Sequence, residues 1–516
     1  MRTIFALLSM ALFAAAPQSV SVRGEVLDAE TGKPIPCRLY IQGPDGTWRF
    51  AKSSGGTAVE YRKQNGKSVE HHTTLSAHPF AIELAAGAYT FTVERGKEYV
   101  PETRAVTVGA GTDTLTFRLQ RWIDAAERGW YSGDTHVHRS IEDLPHLMQV
   151  EDLNVALPLH YWVTTAFDSP KSNPRRGPAP DPEAKPIAVD ATHVIWPRNT
   201  EYEIFSINKR SHTLGAVFIL NHKSVFEEGV PPVGPVVRKA RSEGALLDLD
   251  KHNWPWSMAL VPVLGVDLFE LANNHHWRTD FAFRGYGERE AEYMKVERDA
   301  GGWTERGWTD FGFQNYYALL NCGLKLRPSG GSASGVHPVP LGFGRVYVRV
   351  DGDFSYEKWI RGLDEGKSFV STGPLLFIEG SRPDQATFRV HGSADAAVGL
   401  SRIEIVVNGE VARKVEPVSR GTPRKGFENP IDETLPIEGT SWVAVRCFED
   451  RPDGRVRFAH SAPFHVEVPG KPLRPRRVEV DYLIKRVEDQ IARSKDILPE
   501  AALDEYREAL KFYMTK

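Results

Sequence analysis

The stretch GDTHVHR, residues 133–139, decides how the middle of this chain is interpreted. On a β-strand the side chains of residues i and i+2 point to the same face, so His136 and His138 can bind one cation together. Asp134 lies on that face too, either as a ligand or as an acceptor that fixes the tautomer of one imidazole. A surface strand that happens to carry two histidines is the competing interpretation of this short pattern alone.

The distribution of histidine along the chain favours the metal site. Ten of the 17 histidines lie between His136 and His276. Neutral imidazole is the commonest metal ligand in proteins, so this clustering indicates a site rather than a compositional bias. Further metal-competent residues end or follow apolar strand candidates: His160, Glu201, Glu203, His212, His222, His252 and Glu270. In α/β barrels, residues at the C-terminal ends of successive strands converge on one mouth, which predicts that these side chains meet.

Length and composition predict a soluble protein of about three domains. The chain has 516 residues, of which 41% are hydrophobic and 25% charged. A net charge of −3 argues against a nucleic-acid partner, because such a partner normally requires a basic balance or a basic patch. The three cysteines are far apart and show no CxxC spacing, so neither a disulfide framework nor a thiolate zinc site is indicated.

The first 18 residues have the form of a secretory signal peptide. One arginine precedes an apolar run, Ile4 to Ala16, which ends in small residues and is too short to span a bilayer comfortably. A buried N-terminal helix is the alternative. Because no later segment reaches about 18 consecutive apolar residues, we expect no membrane span and an exported protein, periplasmic or extracellular.

Hydrophobic patterning divides the remaining chain into four parts. Residues 19–121 show short alternating strands between turns, which predicts a β-sandwich. Residues 122–375 alternate strand and helix patterns, as an α/β barrel or doubly wound sheet does. Residues 376–468 read as a second β-sandwich, with a type I′ hairpin at Asn408-Gly409. Residues 469–516 form a linker and a helical tail whose apolar stripes cover a neighbouring surface.

At this point the chain resembles a known family, the PHP (polymerase and histidinol phosphatase) metal-dependent hydrolases, and within it the CehA/McbA-like branch. The motifs that carry the resemblance are 133–139, 151–154 leading to His160, 200–203, 211–212, 250–252 and 341–348. Segment 24–41, GEVLDAETGKPIPCRLYI, resembles the carboxypeptidase-regulatory-like sandwich of many exported enzymes. The resemblance implies a central distorted β/α barrel, flanked by the two sandwiches, that holds two or three metal ions. Its implied ligands are His136, His138, a bridging Glu201, His212 and His252, with His160 a ligand or close neighbour.

One departure from the family pattern affects the expected activity. The segment GGSASG, residues 330–335, carries Ala333 where the family has a metal-binding Asp. Three alternatives stay open: a histidine replaces that Asp, the site holds fewer metals, or catalysis has been lost. The histidines considered as replacements are His337, His222, His275 and His276.

The leading expectation is therefore an exported metal-dependent hydrolase of an ester, carbamate or phosphoester of a small molecule. One to three divalent transition metal ions, Zn²⁺ or Mn²⁺, would activate water. His160 or His222 would transfer protons to the leaving group, and Lys223, Arg139 or Lys251 would offset substrate charge. The rival expectation is a non-catalytic, metal-bearing module that binds an extracellular polymer or partner and has lost its ligand at Ala333.

Overall fold

The computed structural model describes residues 19–66, 68–172, 180–250, 254–276, 279–281, 283–285 and 290–516. The expected signal peptide, residues 1–18, the expected ligand His252 and its neighbour Lys251 lie outside the described residues. The described chain groups into two compact units. The first comprises the described residues up to Glu60, together with His72–Glu94 and Pro101–Leu119, and the second comprises Tyr61–His71, Arg95–Val100 and Gln120–Lys516. Among the described residues, no helix is long and apolar enough to cross a membrane.

The N-terminal part of the chain folds into two sheets. Its strands are β1 Ser19–Asp28, β2 Cys37–Gln42, β3 Trp48–Arg49, β4 Lys52–Ser53, β5 Ala58–Asn65, β6 Ser68–Leu75, β7 Phe80–Ala85, β8 Gly87–Glu94, β9 Tyr99–Val100, β10 Glu102–Val108 and β11 Leu115–Arg121. One sheet has the order β4-β7-β1-β11-β9, and the other has the order β10-β8-β2-β6-β5, with β3 beside β2. Alternate residues face inward, and Phe91 of one sheet stacks on Phe117 of the other at 6.0 Å.

The second unit contains the remaining strands and the helices. Its strands are β12 Trp130–Val137, β13 Val155–Pro158, β14 Tyr161–Thr165, β15 Lys171–Ser172, β16 Ile187–Ala188, β17 Val194–Ile195, β18 Thr200–Ile207, β19 Arg210–Leu220, β20 Leu246–Asp250, β21 Leu268–Ala272, β22 Arg298–Asp299, β23 Gly302–Trp303, β24 Arg327–Gly330, β25 Arg345–Arg349, β26 Ser368–Ser371, β27 Leu375–Ser381, β28 Thr387–Ala396, β29 Leu400–Val407, β30 Glu410–Val415, β31 Arg420–Gly421, β32 Phe427–Pro436, β33 Ser441–Glu449, β34 Phe458–Ser461 and β35 Phe464–Val466. Its helices are α1 Leu144–Glu151, α2 Gly234–Glu243, α3 Pro255–Leu264, α4 Glu305–Asn321, α5 Tyr356–Asp364, α6 Arg477–Ser494 and α7 Glu500–Met514.

Two large sheets form the centre of this unit. The carboxylate sheet, so named here for the acidic side chains on one of its faces, has the order β15-β14-β18-β19-β20-β21-β24. The long sheet has the order β16-β17-β13-β12-β25-β26-β34-β33-β29-β30, with β35 beside β33. The two sheets approach each other where β24 contacts β12, β25 and β26. A smaller sheet, β27-β28-β32-β31, completes the C-terminal strands.

The predicted central barrel is not confirmed. Most strands of residues 122–375 are divided between the carboxylate sheet and the long sheet rather than closed into one, and β22 and β23 form a separate two-stranded sheet. The long sheet also continues through β26 into β34 and β33, so it crosses the domain boundary expected at residue 375. Pairing between strands so distant in sequence leaves no local pattern, which is why the sequence did not indicate it. The predicted hairpin is confirmed, since Asn408 and Gly409 have φ of 50° and 88°.

The carboxylate sheet has two chemically different faces, and this difference positions the site. One face is apolar and packs beneath α3, α4, α6 and α7 in a single buried cluster that includes Tyr202, Ile204, Val217, Leu249 and Phe269. Because side chains alternate along a strand, the residues between these point to the opposite face. That opposite face carries the buried side chains Glu201, Glu203, Asp248, Asp250 and Glu270.

Candidate metal centre

Two imidazoles and a carboxylate form the centre of the site. The Nε2 atoms of His136 and His138 lie 3.2 Å apart, and Oε2 of Glu201 lies 3.2 Å from the His138 Nε2. The side chains are 1%, 3% and 1% exposed, respectively. Two ligands bound about 2.1 Å from one ion in tetrahedral geometry are about 3.4 Å apart. Both distances match the spacing of ligands to a common ion, and donor atoms of the three residues all lie within 4.8 Å of one another.

Two further groups of donor atoms adjoin this one. His136, Asp250 and Glu270 form one group, and Glu201, Glu203 and Asp250 form the other, with the donor atoms of each group within 4.8 Å of one another. The shared members join the three groups into a continuous cluster of two imidazoles and four carboxylates. A donor set of this kind suits Zn²⁺ or Mn²⁺, because imidazole and carboxylate are ligands of both. The excess of acidic groups also requires positive charge, which divalent ions supply.

Glu270 contacts the other side of the His136 ring. Its Oε1 lies 2.8 Å from His136 Nδ1, and Asp250 Oδ1 lies 3.8 Å from the same nitrogen. The ring of Phe218 packs against the His136 ring, with a centroid distance of 4.5 Å. His136 thus has a different neighbour at each nitrogen: His138 at Nε2 and Glu270 at Nδ1.

Asp134 anchors the loop 330–335 beside the site. Its Oδ1 accepts hydrogen bonds from the backbone amides of His136 and Ser332, both at 3.1 Å. Its Oδ2 accepts from the Gly342 amide at 2.8 Å and from the Ser332 hydroxyl. Burial raises the pKa of Asp134 to about 6, against these hydrogen bonds, which favour the charged form. The groups of described residues able to hold a metal do not include Asp134.

Ala333 lies in the same loop, directly beside the first histidine. It is buried, and its amide donates to the backbone oxygen of His136 at 2.8 Å. The amide of His138 donates in turn to the oxygen of Ser334 at 2.8 Å. The GGSASG segment therefore holds the backbone of both histidines through its own backbone.

The structure places two other predicted site residues away from the cluster. His212 lies six residues before Phe218, about 20 Å along the strand at about 3.3 Å per residue. Its Nε2 lies 3.2 Å from the Ser494 hydroxyl of α6, and burial lowers its pKa to about 4. His222 uses both ring nitrogens elsewhere: Nδ1 donates to Ser224 O at 2.7 Å, and Nε2 accepts from Thr200 Oγ1 at 2.9 Å.

The structure also places Lys223 and His160, whereas Lys251 and His252 are outside the described residues. The Lys223 side chain is exposed. The imidazole of His160 packs edge-on against Tyr161 at 4.8 Å, and burial lowers its pKa. Neither residue belongs to the metal-competent groups found among the described residues.

Two histidines considered as replacements at Ala333 serve in packing. His275 stacks on Phe283 with a centroid distance of 3.6 Å. His276 Nδ1 lies 3.8 Å from Glu305 Oε1, and burial lowers the pKa of His276. These contacts direct both imidazoles toward aromatic and ionic neighbours, and the metal-competent groups of the described residues do not include His275, His276 or His337.

Three residues of the cluster were not assigned from the sequence as ligands: Glu203, Asp250 and Glu270. Glu203 and Glu270 were nevertheless among the metal-competent side chains expected to meet, and the sequence also held a signal for Asp250. Asp250 and Glu270 lie in the strands LLDLD and LFELA, where an acidic side chain is placed among buried apolar ones. An ionisable group inside an otherwise apolar strand requires a partner, which is a reason to count it among candidate ligands.

Comparisons with known proteins add little to this geometry. No family model matches the chain, and no curated protein matches it. Among solved structures, one match is a two-domain protein from Bacteroides vulgatus described as containing a predicted PHP-like metal-dependent phosphoesterase. The match has 10% sequence identity and a TM-score of 0.29, and it covers 66% of this chain and 95% of that chain. A TM-score this low supports no inference, so the interpretation of the site rests on the site's own residues.

Proposed function

We propose that this protein is a metal-dependent hydrolase of a small-molecule ester, carbamate or phosphoester. The observation that carries the proposal is the convergence of His136 Nε2, His138 Nε2 and Glu201 Oε2 at ligand spacing. When bound there, a divalent ion supplies Lewis-acid polarisation of a substrate oxygen and makes water nucleophilic near neutral pH. Zn²⁺ and Mn²⁺ are the ions that this donor set favours.

The neighbouring carboxylates extend the proposal to proton transfer and a second ion. Glu201 belongs both to the group with the two imidazoles and to the group with Glu203 and Asp250, so it would adjoin both ions if two were bound. Glu203, at 9% exposure, is the most exposed of the four carboxylates, and we assign it the role of accepting a proton from water. The His222 ring, with both nitrogens engaged, is poorly suited to the proton transfer first expected of it.

Family membership and export complete the proposal. The order of the motifs at 133–139, 200–203 and 250–252 supports a place in the PHP superfamily and its CehA/McbA-like branch. The apolar run within residues 1–18 supports export to the periplasm or beyond.

The test uses the full chain purified without chelators. We expect about one equivalent or more of Zn or Mn by elemental analysis, and turnover of at least one member of a panel of phosphate, carboxylate and carbamate esters. A His138→Ala variant should lose both, whereas a His212→Asn variant should keep both. Less than about a tenth of an equivalent of metal contradicts the proposal. Bound metal without turnover on any ester favours the non-catalytic binding module instead.

A further inference from the structure

We infer that Glu270 is a positioning residue that fixes the tautomer of His136, and that Gly331 is the residue that makes room for this pair. The inference rests on the proposed function, since it concerns how His136 presents a nitrogen to the metal. Glu270 is thereby assigned to positioning, although its distances alone would also allow it to bind a metal ion directly.

The first step is the hydrogen bond between the two side chains. Glu270 Oε1 and His136 Nδ1 are 2.8 Å apart, and both side chains are fully buried. An ionised carboxylate only accepts, so with Glu270 charged His136 carries its proton on Nδ1. In the neutral ring this leaves the lone pair on Nε2, which is the nitrogen that faces His138.

His136 is shared by two of the donor groups. A neutral imidazole offers one lone pair, so the same ring does not ligate an ion through Nε2 and another through Nδ1. The group formed by His136, Asp250 and Glu270 therefore does not hold an ion through His136 while Nδ1 carries the proton. Glu270 then acts through His136, as carboxylates behind metal-bound histidines commonly do.

The third step is the close approach of the loop at Gly331. A Cβ atom built on Gly331 would lie 2.2 Å from the His136 Cβ and 2.3 Å from Glu270 Oε1. Real Cβ atoms do not approach other atoms so closely, so any side chain at 331 would displace the His136–Glu270 pair. The Gly331 amide donates to Ala272 O at 2.9 Å, which holds the loop against β21.

The loop fixes the backbone of the histidines as well. The Ala333 amide donates to His136 O, and the Ser334 oxygen accepts from the His138 amide, both at 2.8 Å. Gly335, with φ of 104°, also lies against His138, since a Cβ there would be 2.5 Å from the His138 oxygen. The GGSASG segment thus acts through backbone and close packing, a role that needs no acidic side chain at position 333.

The experiment combines three variants with two readouts. Glu270→Gln keeps an acceptor for Nδ1–H, Glu270→Ala removes it, and Gly331→Ala leaves Glu270 in the sequence but displaces it. Asp248→Asn is the control, because Asp248 lies on the same face of the sheet but accepts a hydrogen bond from the Ser329 hydroxyl at 2.7 Å. The readouts are metal affinity and stoichiometry by competition with a chromogenic chelator, using Zn²⁺ and Mn²⁺, and ¹⁵N NMR of the His136 ring in metal-free protein.

We expect Glu270→Ala and Gly331→Ala to weaken metal affinity by about 10- to 100-fold at unchanged stoichiometry, and Glu270→Gln to weaken it less. In metal-free wild type the His136 ring should be protonated at Nδ1, and in Glu270→Ala the two tautomers should mix. Loss of one equivalent of metal in Glu270→Gln at saturating metal would show that Glu270 is a ligand and overturn the inference. Unchanged affinity in both Glu270→Ala and Gly331→Ala would overturn it too.

The NMR readout separates this inference from the proposed function. If the wild-type protein binds no metal, the proposed function fails, but the tautomer of His136 and its response to Glu270→Ala still decide the positioning role. If Glu270→Ala does not fold, the metal affinity and the His136 tautomer are compared with wild type in Glu270→Gln and Gly331→Ala instead. A His136 ring protonated at Nε2 in the wild type would overturn the inference whatever the metal content.

Discussion

The Nε2 atoms of His136 and His138 lie 3.2 Å apart in the buried centre of the second unit. His136 lies near the end of β12 in the long sheet and His138 directly follows that strand, whereas Glu201, the third donor, comes from the carboxylate sheet. The site therefore forms only where two sheets meet, and its integrity depends on how both sheets pack.

Loss of a central imidazole should remove the metal. The His138→Ala variant lacks the donor that lies next to both His136 and Glu201. We expect its metal affinity to be at least about 100-fold lower, because loss of a ligand weakens binding more than loss of a residue that supports a ligand. Elemental analysis after extensive dialysis measures this loss. His212→Asn is the matched histidine control, because its ring bonds Ser494 of α6. Metal loss in His212→Asn would contradict the placement of His212 described above.

A second ion should depend on Asp250. This carboxylate belongs to the donor group formed with Glu201 and Glu203, and its replacement by Asn removes a negative charge that a second cation needs. We expect Asp250→Asn to bind one equivalent less of Mn²⁺ at saturation while the ion at His136 and His138 remains. Isothermal titration of metal-free protein gives the stoichiometry. Asp248→Asn, a change of the same kind two residues earlier, should leave the stoichiometry unchanged. Equal stoichiometry in Asp250→Asn and wild type would exclude a second ion at this carboxylate.

The alternation of side chains along a strand explains which parts of the site could be predicted from the sequence. Alternation fixes which side chains of one strand share a face, so His136 and His138 could be paired from the strand alone, whereas Glu201 was expected with them only from the family resemblance. Alternation does not give the distance between side chains on different strands, and His212 was expected as a ligand only from the family resemblance. His212 shares its strand with Phe218, which contacts His136, but lies far along it.

The fold was predicted less completely because sheet membership is non-local. The pairing of β26 with β34 joins residues about 90 positions apart, and it depends on packing that no window of sequence records. The helical tail was easier to predict, since a period of 3.6 residues marks its buried face locally. Val480, Leu483, Tyr506 and Tyr513 of that pattern are buried in the structure.

The anchor at Asp134 should be needed for stability. An Asn at this position retains one acceptor oxygen but turns an amide NH₂ toward groups that themselves donate. Asp134→Asn should therefore lower the free energy of unfolding by about 1–3 kcal/mol. Denaturant unfolding of metal-free protein measures the change. Asp384→Asn is the control, because Asp384 is exposed and its Oδ1 accepts the Ala386 amide at 2.7 Å, a bond that the oxygen of Asn can keep. Equal stabilities for Asp134→Asn and the control would rule out the anchoring role.

Stability should also fall in mild acid because of His222. Burial lowers the pKa of this imidazole from 6.5 to about 4, and its neutral form satisfies both ring nitrogens, donating to Ser224 O and accepting from Thr200 Oγ1. Between pH 6.5 and 4 the unfolded chain binds a proton at this ring that the folded chain does not. Stability is therefore fully present above pH 6.5 and declines as the pH falls toward 4, by about 3 kcal/mol from this residue.

His222→Gln isolates that contribution, since Gln can donate to Ser224 O and accept from Thr200 but does not titrate. We expect the wild type to lose more unfolding free energy than the variant between pH 7 and pH 4.5, measured by urea unfolding of metal-free protein. Wild type and variant share all other titrating groups, including buried His212 and His460, whose pKa values burial also lowers. The difference between their pH profiles therefore reports His222 alone, and parallel profiles would mean that the pKa of this ring is the same in the folded and the unfolded protein.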